Sequence, residues 1–142
     1  MNFTIDEHGF VRSPNLHDGF LDGVQRVSED AVALSLRDVR GQTFVMELIG
    51  AEALVCDDFR LGNIIFDIQI VSGAAPDKDI LASLFVPPHP AAAKEFHDQH
   101  SEFLQKRIDR VSEGALKLVS IDPSYGCSLR ALCTEVKITS SK

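Results

Sequence analysis

The sequence has no tryptophan and a single tyrosine, so its nine phenylalanines supply most of the large apolar side chains. It also lacks any apolar run near the ~18 residues that a membrane-spanning helix needs. Its longest dense run, Asn63–Val71, has the length of a strand. The first residues show no basic start followed by an apolar stretch, which argues against a signal peptide. We therefore expect a cytoplasmic protein with no membrane partner.

Cysteine is scarce as well, and no C-x-x-C motif occurs among Cys56, Cys127 and Cys133. An odd count without a secretion signal predicts reduced thiols, and the spacing argues against a zinc knuckle or a thioredoxin-like site. Cys127 and Cys133 fall in one predicted strand. There a rise of ~3.4 Å per residue would separate them by roughly 20 Å, beyond the reach of a disulfide. We expect inert, buried thiols.

Positive charge is in the minority, since 14 lysines and arginines stand against 21 acidic residues and give a net charge of −7. Without a cluster of basic residues the chain is poorly suited to nucleic-acid phosphates or to anionic membranes. An acidic surface suits a basic partner instead, because opposite fields speed encounter. A length of 142 residues with 44% hydrophobic composition predicts one folded domain over residues 1–142.

Alternating apolar residues predict a series of strands. Residues 31–39 and 43–49 alternate on either side of a short turn that contains glycine, which is typical of a hairpin. Residues 63–71 form the strongest strand, with β-branched side chains on both faces. Residues 77–85 fit either a strand or a helix capped by Asp77. Further strands are predicted at residues 1–5, 20–27, 52–56, 115–121 and 127–138, the last two joined by the loop DPSYG at 122–126.

One long helix is predicted over residues 91–112, where Phe96, Phe103, Arg107 and Val111 lie on one stripe. Strands first and a long helix late indicate an α+β fold. We expect a mainly antiparallel sheet of about seven strands, curled into a half-barrel or sandwich. One long amphipathic helix near the C-terminal third would cover it.

The stretch LHDGFLDGV at residues 16–24 contains a His-Asp pair, which is typical of metal phosphohydrolases that hold their ligands on helices. Gly19 and Gly23 disfavour a helix here. We interpret the stretch as the start of a strand, where Asp18 binds backbone N–H groups and the glycines allow close approach of another backbone. His17, Asp18 and Asp22 remain candidate binding residues.

His97 and His100 lie three residues apart on the predicted helix, so they could share a metal ion if a third ligand came from elsewhere. The alternative is a pair of histidines at the edge of the core. Tyr125 is a candidate binding residue in an interface, or else a ring that covers the end of the sheet. No nucleophile, phosphate-loop, dinucleotide or zinc-protease motif occurs, so we predict no catalytic residue and no cofactor.

Three segments, LHDGFLDGV, DDFRLGNIIFDI and IDPSYGCSLRALCTEVKI, follow one another along the chain. In this order they resemble small uncharacterised bacterial proteins of the kind that includes immunity-like proteins of polymorphic toxin systems. The resemblance implies a single β-rich cytoplasmic domain without known catalysis that binds another protein.

Our leading hypothesis is therefore a non-enzymatic domain that binds a protein partner or its own copy, with immunity to a basic toxin as the specific version. Phe10, Phe20 and Phe59, near predicted turns, would supply apolar anchors. The alternative is a small metal-binding protein or hydrolase that uses His and Asp residues. A carrier with an apolar cavity inside a curled sheet is a third hypothesis.

Overall fold

Antiparallel strands make up nearly half of residues 3–141, the part of the chain that the computed structural model describes. The strands are β1 (Thr4–Ile5), β2 (Val11–Ser13), β3 (Phe20–Ser28), β4 (Ala31–Arg37), β5 (Thr43–Ile49), β6 (Ala53–Asp57), β7 (Asn63–Val71), β8 (Lys117–Tyr125), β9 (Ser128–Cys133) and β10 (Glu135–Ser141). The helices are α1 (Lys78–Ala82) and α2 (Lys94–Ser112). β1 and β2 form a small sheet, and the others form one sheet in the order β10-β5-β4-β3-β7-β8-β9-β6. The α+β class and the mainly antiparallel sheet are confirmed, with eight strands in the main sheet rather than about seven.

Both helices differ in detail from the expectation. Residues 77–85 contain the short helix α1, and the side chain of Asp77 caps it by accepting the N–H groups of Asp79 and Ile80. The long helix begins at Lys94 rather than at residue 91. The reason is a separate turn before it, in which the N–H of Ala91 donates to Nδ1 of His89.

The last strands also differ from the prediction. Residues 127–138 do not form one strand, because the chain changes partners at Thr134, whose N–H and hydroxyl both donate to the carbonyl of Ile49. β9 pairs with β8 and β6, whereas β10 pairs with β5. The predicted loop 122–126 is mostly strand, since β8 continues to Tyr125 and pairs with β7 from Ile64 to Val71. Pro123 fits this strand at an irregularity in the pairing.

Two apolar clusters stabilise the fold, and β8 contributes to both because its successive side chains point to opposite faces. Val119 and Ile121 belong to an inner cluster formed by side chains of most strands. Leu118 instead packs against the helices, together with Leu132 and Val111. A central strand buried on both faces explains why its apolar residues are nearly continuous.

Only the second half of α2 packs on the sheet. Val111 is buried there, and Arg107 lies over the rings of Phe85 and Phe103 while it pairs with Glu52. In the first half, Phe96 is half exposed and lines a groove with Phe85. Within residues 3–141, neither helix is long and apolar enough to cross a membrane.

Candidate functional site

The stretch LHDGFLDGV leads into β3, as its glycines predicted, and one of them lies against a neighbouring backbone. A β-carbon at Gly19 would lie 2.5 Å from the carbonyl oxygen of Arg37 and 2.9 Å from that of Leu16. A β-carbon at Gly23 would lie 3.7 Å from Ser35, which is an ordinary contact. The close approach of another backbone is therefore confirmed at Gly19 and not at Gly23.

His17 and Asp18 face β7 rather than the helix that carries His97 and His100. Nδ1 of His17 lies 2.7 Å from the carbonyl oxygen of Phe66, and its Nε2 lies 3.6 Å from the carboxylate of Asp18. Asp18 does anchor the backbone, but through its own N–H, which donates to the carbonyl of Ile65 at 2.9 Å. The prediction that its carboxylate binds backbone N–H groups is wrong, because a left-handed conformation turns that carboxylate outward, where it is largely exposed.

Asp22 is already paired within the sheet. Its carboxylate accepts two hydrogen bonds from Arg37, at 2.9 and 3.2 Å, and the guanidinium of Arg37 lies 4.2 Å from the ring centre of Phe20. The hydrogen bond to Asp22 raises the pKa of Arg37. Asp22 and Arg37 therefore form a cross-strand pair on β3 and β4. Asp22 lies against neither His17 nor Tyr125.

His97 and His100 both lie in the first half of α2. His100 stacks on the ring of Phe103 at 6.3 Å between centres and lines an apolar groove with Phe85 and Phe96. Within residues 3–141, no group of three or more His, Cys, Asp or Glu side chains is placed to hold a metal ion. The third ligand that a metal site here requires is not supplied by the described part of the chain.

Tyr125 is the remaining candidate binding residue, and it lies on a partly apolar, exposed surface. It ends β8 half exposed, opposite Ile64, and the guanidinium of Arg60 lies 5.9 Å from its ring centre. Arg60 belongs to the loop that joins β6 to β7, in which Phe59 is 48% exposed and Leu61 is 98% exposed. We call Phe59, Leu61 and Tyr125 the tip surface. Of these, Leu61 was not identified from the sequence.

Below the tip surface, Asn63 links the loop between β6 and β7 to the turn that follows Tyr125. Its side chain is almost wholly buried, and its Oδ1 accepts the N–H groups of Arg60 and Cys127 at 2.8 and 2.9 Å. Its Nδ2 donates to the carbonyls of Leu21 and Arg60 at 3.1 and 2.8 Å. All four hydrogen-bonding positions of the amide are therefore used. A β-carbon at Gly126 would lie 2.4 Å from that Oδ1, so only glycine fits there.

Three acidic residues lie close in the chain to the residues of the tip surface. Asp57 is exposed and has no ion-pair partner within the described residues, while Asp58 pairs with Arg60 and Asp122 pairs with Arg130. The hydrogen bond and charge of Asp58 raise the pKa of Arg60, which keeps its guanidinium fully protonated. The surface therefore combines exposed apolar groups with two arginine–aspartate pairs and the exposed carboxylate of Asp57.

Two cysteines meet just below the same surface. The Sγ atoms of Cys56, at the end of β6, and Cys127, before β9, lie 2.7 Å apart. This pair could not be identified from the sequence. The two residues are 71 positions apart and meet only because β6 lies beside β9. All three cysteines are free thiols, as predicted.

Comparison with known proteins found no matching protein-family model, no matching curated protein and no matching solved structure. The resemblance to immunity-like proteins therefore stays a prediction that rests on the three segments alone.

Proposed function

We propose that this protein is a non-enzymatic cytoplasmic domain that binds a basic protein partner through the tip surface. The observation that carries the proposal is the 98% exposure of Leu61, which directly follows Arg60, whose guanidinium lies 5.9 Å from the ring centre of the half-exposed Tyr125. Tyrosine and arginine are enriched among the residues that dominate binding energy at protein interfaces. Leu61 is 98% exposed, so almost none of its apolar surface is buried within its own chain.

The tip surface is held in place before any partner arrives. Asn63 fixes the backbone of Arg60 through both its N–H and its carbonyl, and it fixes the turn after Tyr125 through Cys127. Binding then requires little further ordering of the loop, which lowers the entropic penalty of association.

Charge selects the class of partner. Asp57, which has no ion-pair partner within residues 3–141, and the net charge of −7 for the whole chain favour a basic surface as the partner. The specific version of the proposal is an immunity-like protein that neutralises a basic toxin, and the resemblance supports it. The expected half-barrel or sandwich belongs to the same proposal, because a curled sheet would enclose the inner cluster and present the tip surface at one end.

The experiment compares two aspartate substitutions at equally exposed apolar positions. Leu61→Asp changes the tip surface, and Val86→Asp, at a residue 93% exposed beside the groove of α2, is the matched control. The two variants and the parent protein are used to capture proteins from the source cells. Captured proteins are identified by mass spectrometry, and binding is then reproduced with two purified proteins in low and high salt.

We expect a partner with a basic isoelectric point that the parent protein and Val86→Asp retain and Leu61→Asp loses. Loss of one buried leucine and the introduction of a carboxylate at an interface should weaken binding at least ~30-fold. Affinity should fall as salt rises. Equal binding by all three proteins, or loss only with Val86→Asp, would overturn the proposal.

A further inference from the structure

The thiols of Cys56 and Cys127 are in direct contact, with 2.7 Å between their Sγ atoms and no room for an atom between them. Strand pairing maintains this contact, since Cys56 lies opposite Leu129 and Asp57 lies opposite Ser128 in the β6–β9 ladder. Cys127 belongs to the inner cluster, and Cys56 packs against that cluster from the same side.

We propose that Cys56 and Cys127 are an oxidation site, at which hydrogen peroxide converts the two thiols into a reversible disulfide. The thiolate of Cys56 attacks one peroxide oxygen, so an S–O bond forms, the O–O bond breaks and the other oxygen leaves as water after protonation. The sulfur of Cys127 then attacks the sulfur of Cys56. The S–S bond forms, the S–O bond breaks, and hydroxide leaves as water with the proton from Cys127. Two electrons pass from the thiols to the peroxide.

Exposure assigns the order of the two steps. Cys56 is half buried and reachable from solvent, whereas Cys127 is 2% exposed. Burial and the neighbouring Cys56 raise the pKa of Cys127 to about 12, and Asp57 and Asp58 add to the effect. Cys127 therefore stays protonated while Cys56 reacts with the peroxide, and its contact with Cys56 assigns it the second step, in which its proton leaves as the S–S bond forms.

The disulfide would restrain an edge of the sheet. β6 is the last strand of the main sheet and pairs only with β9. A covalent link at Cys56 prevents β6 from separating from the turn at Cys127, and the loop with Phe59 and Leu61 follows β6 directly. A regulatory effect on partner binding rests on the proposed function, whereas the disulfide and its restraint on β6 do not.

The sequence allows a direct test, because trypsin places each cysteine in its own peptide. Cys56 lies in peptide 41–60, Cys127 in 118–130 and Cys133 in 131–137. The reduced protein is treated with a small excess of hydrogen peroxide, the remaining thiols are alkylated, and the digest is analysed by mass spectrometry. We expect an intact mass lower by about 2 Da and a link between peptides 41–60 and 118–130 that dithiothreitol reverses.

Matched variants separate this pair from the third thiol. Cys133→Ser should keep the cross-link, and Cys56→Ser should abolish it while causing little disturbance at a half-buried site. In the folded protein, trypsin should cleave after the exposed Arg60 at least ~3-fold more slowly once the disulfide has formed, because β6 can no longer fray. The same slowing should be absent in Cys56→Ser.

A dimer joined through Cys56, a sulfinic acid at Cys56 without a cross-link, or no reaction with peroxide would overturn the oxidation site. A cross-link without slower cleavage at Arg60 would overturn the restraint on β6. These outcomes are independent of the partner experiment with Leu61→Asp, which can fail while the disulfide still forms.

Discussion

The loop that carries Phe59 and Leu61 depends on the side chain of Asn63 more than on any other polar side chain. Replacing Asn63 with alanine therefore tests how the tip surface is held in place. The substitution removes the acceptor for the N–H of Cys127 and the donor to the carbonyl of Leu21, both in buried hydrogen bonds. It also removes two bonds to the half-buried backbone of Arg60.

The magnitude follows from how many groups lose their partners. An unsatisfied buried backbone group costs about 1–3 kcal/mol, and partly exposed groups cost less because water replaces the lost partner. Two buried and two half-buried groups therefore predict that Asn63→Ala lowers the free energy of unfolding by about 3–4 kcal/mol. A slope of about 2 kcal/mol per molar urea converts this into a midpoint lower by about 1.5–2 M.

Urea denaturation followed by circular dichroism measures the effect. Asn15→Ala is the control, because Asn15 is exposed and makes one hydrogen bond, to the N–H of His17. Its effect on the free energy of unfolding should stay within about 0.5 kcal/mol.

The isosteric Asn63→Asp keeps the acceptor but loses the donor and places a carboxylate against two carbonyls. Its ionised form is disfavoured in the folded state, so its stability should fall as pH rises above the ordinary aspartate pKa. A loss below about 1 kcal/mol for Asn63→Ala, or parental stability of Asn63→Asp at neutral pH, would refute the reasoning.

Three further predictions test packing and reactivity. Gly19→Ala should destabilise the fold by about 2 kcal/mol, because its β-carbon would meet two backbone oxygens, whereas Gly23→Ala should be nearly neutral by the same urea assay. Burial raises the pKa of Cys133 to about 12, so at pH 8 only roughly one molecule in 10,000 carries its thiolate. Iodoacetamide should therefore leave this thiol unlabelled until urea unfolds the protein, and rapid native labelling would contradict the burial. Arg107→Ala should cost about 1 kcal/mol more than Arg110→Ala. Both arginines pair with the same carboxylate, but only Arg107 stacks on two phenylalanine rings, so equal losses would argue against the stacking.

Local patterns in the sequence predicted most of the elements. Alternation identified β4 and β5, and the β-branched run identified β7, because one buried face of a strand leaves a period of two in the sequence. Gly19 and Gly23 argued against a helix around the His-Asp pair, and the structure places that pair in a turn directly before β3. The alternation rule was less informative for β8, which is buried on both faces and continues through the predicted loop.

The site could not be predicted from any short stretch of the sequence, because its residues lie far apart in the chain. Tyr125 was identified from its residue type, but its neighbours Phe59 and Leu61 lie more than sixty positions earlier in the chain. His17 and Asp22 are candidate binding residues of one short stretch, yet His17 contacts Phe66 on β7 while Asp22 pairs with Arg37 on β4.

The sequence by itself determined the α+β class, the acidic charge and the position of most strands, because these follow from composition and from short-range periodicity. Only the tertiary structure decided that β6 lies beside β9 and that Asn63 bridges two distant turns. Those contacts depend on the order of strands in the sheet, which hydrophobic alternation does not encode. The tip surface and the contact between Cys56 and Cys127 both arise from that order.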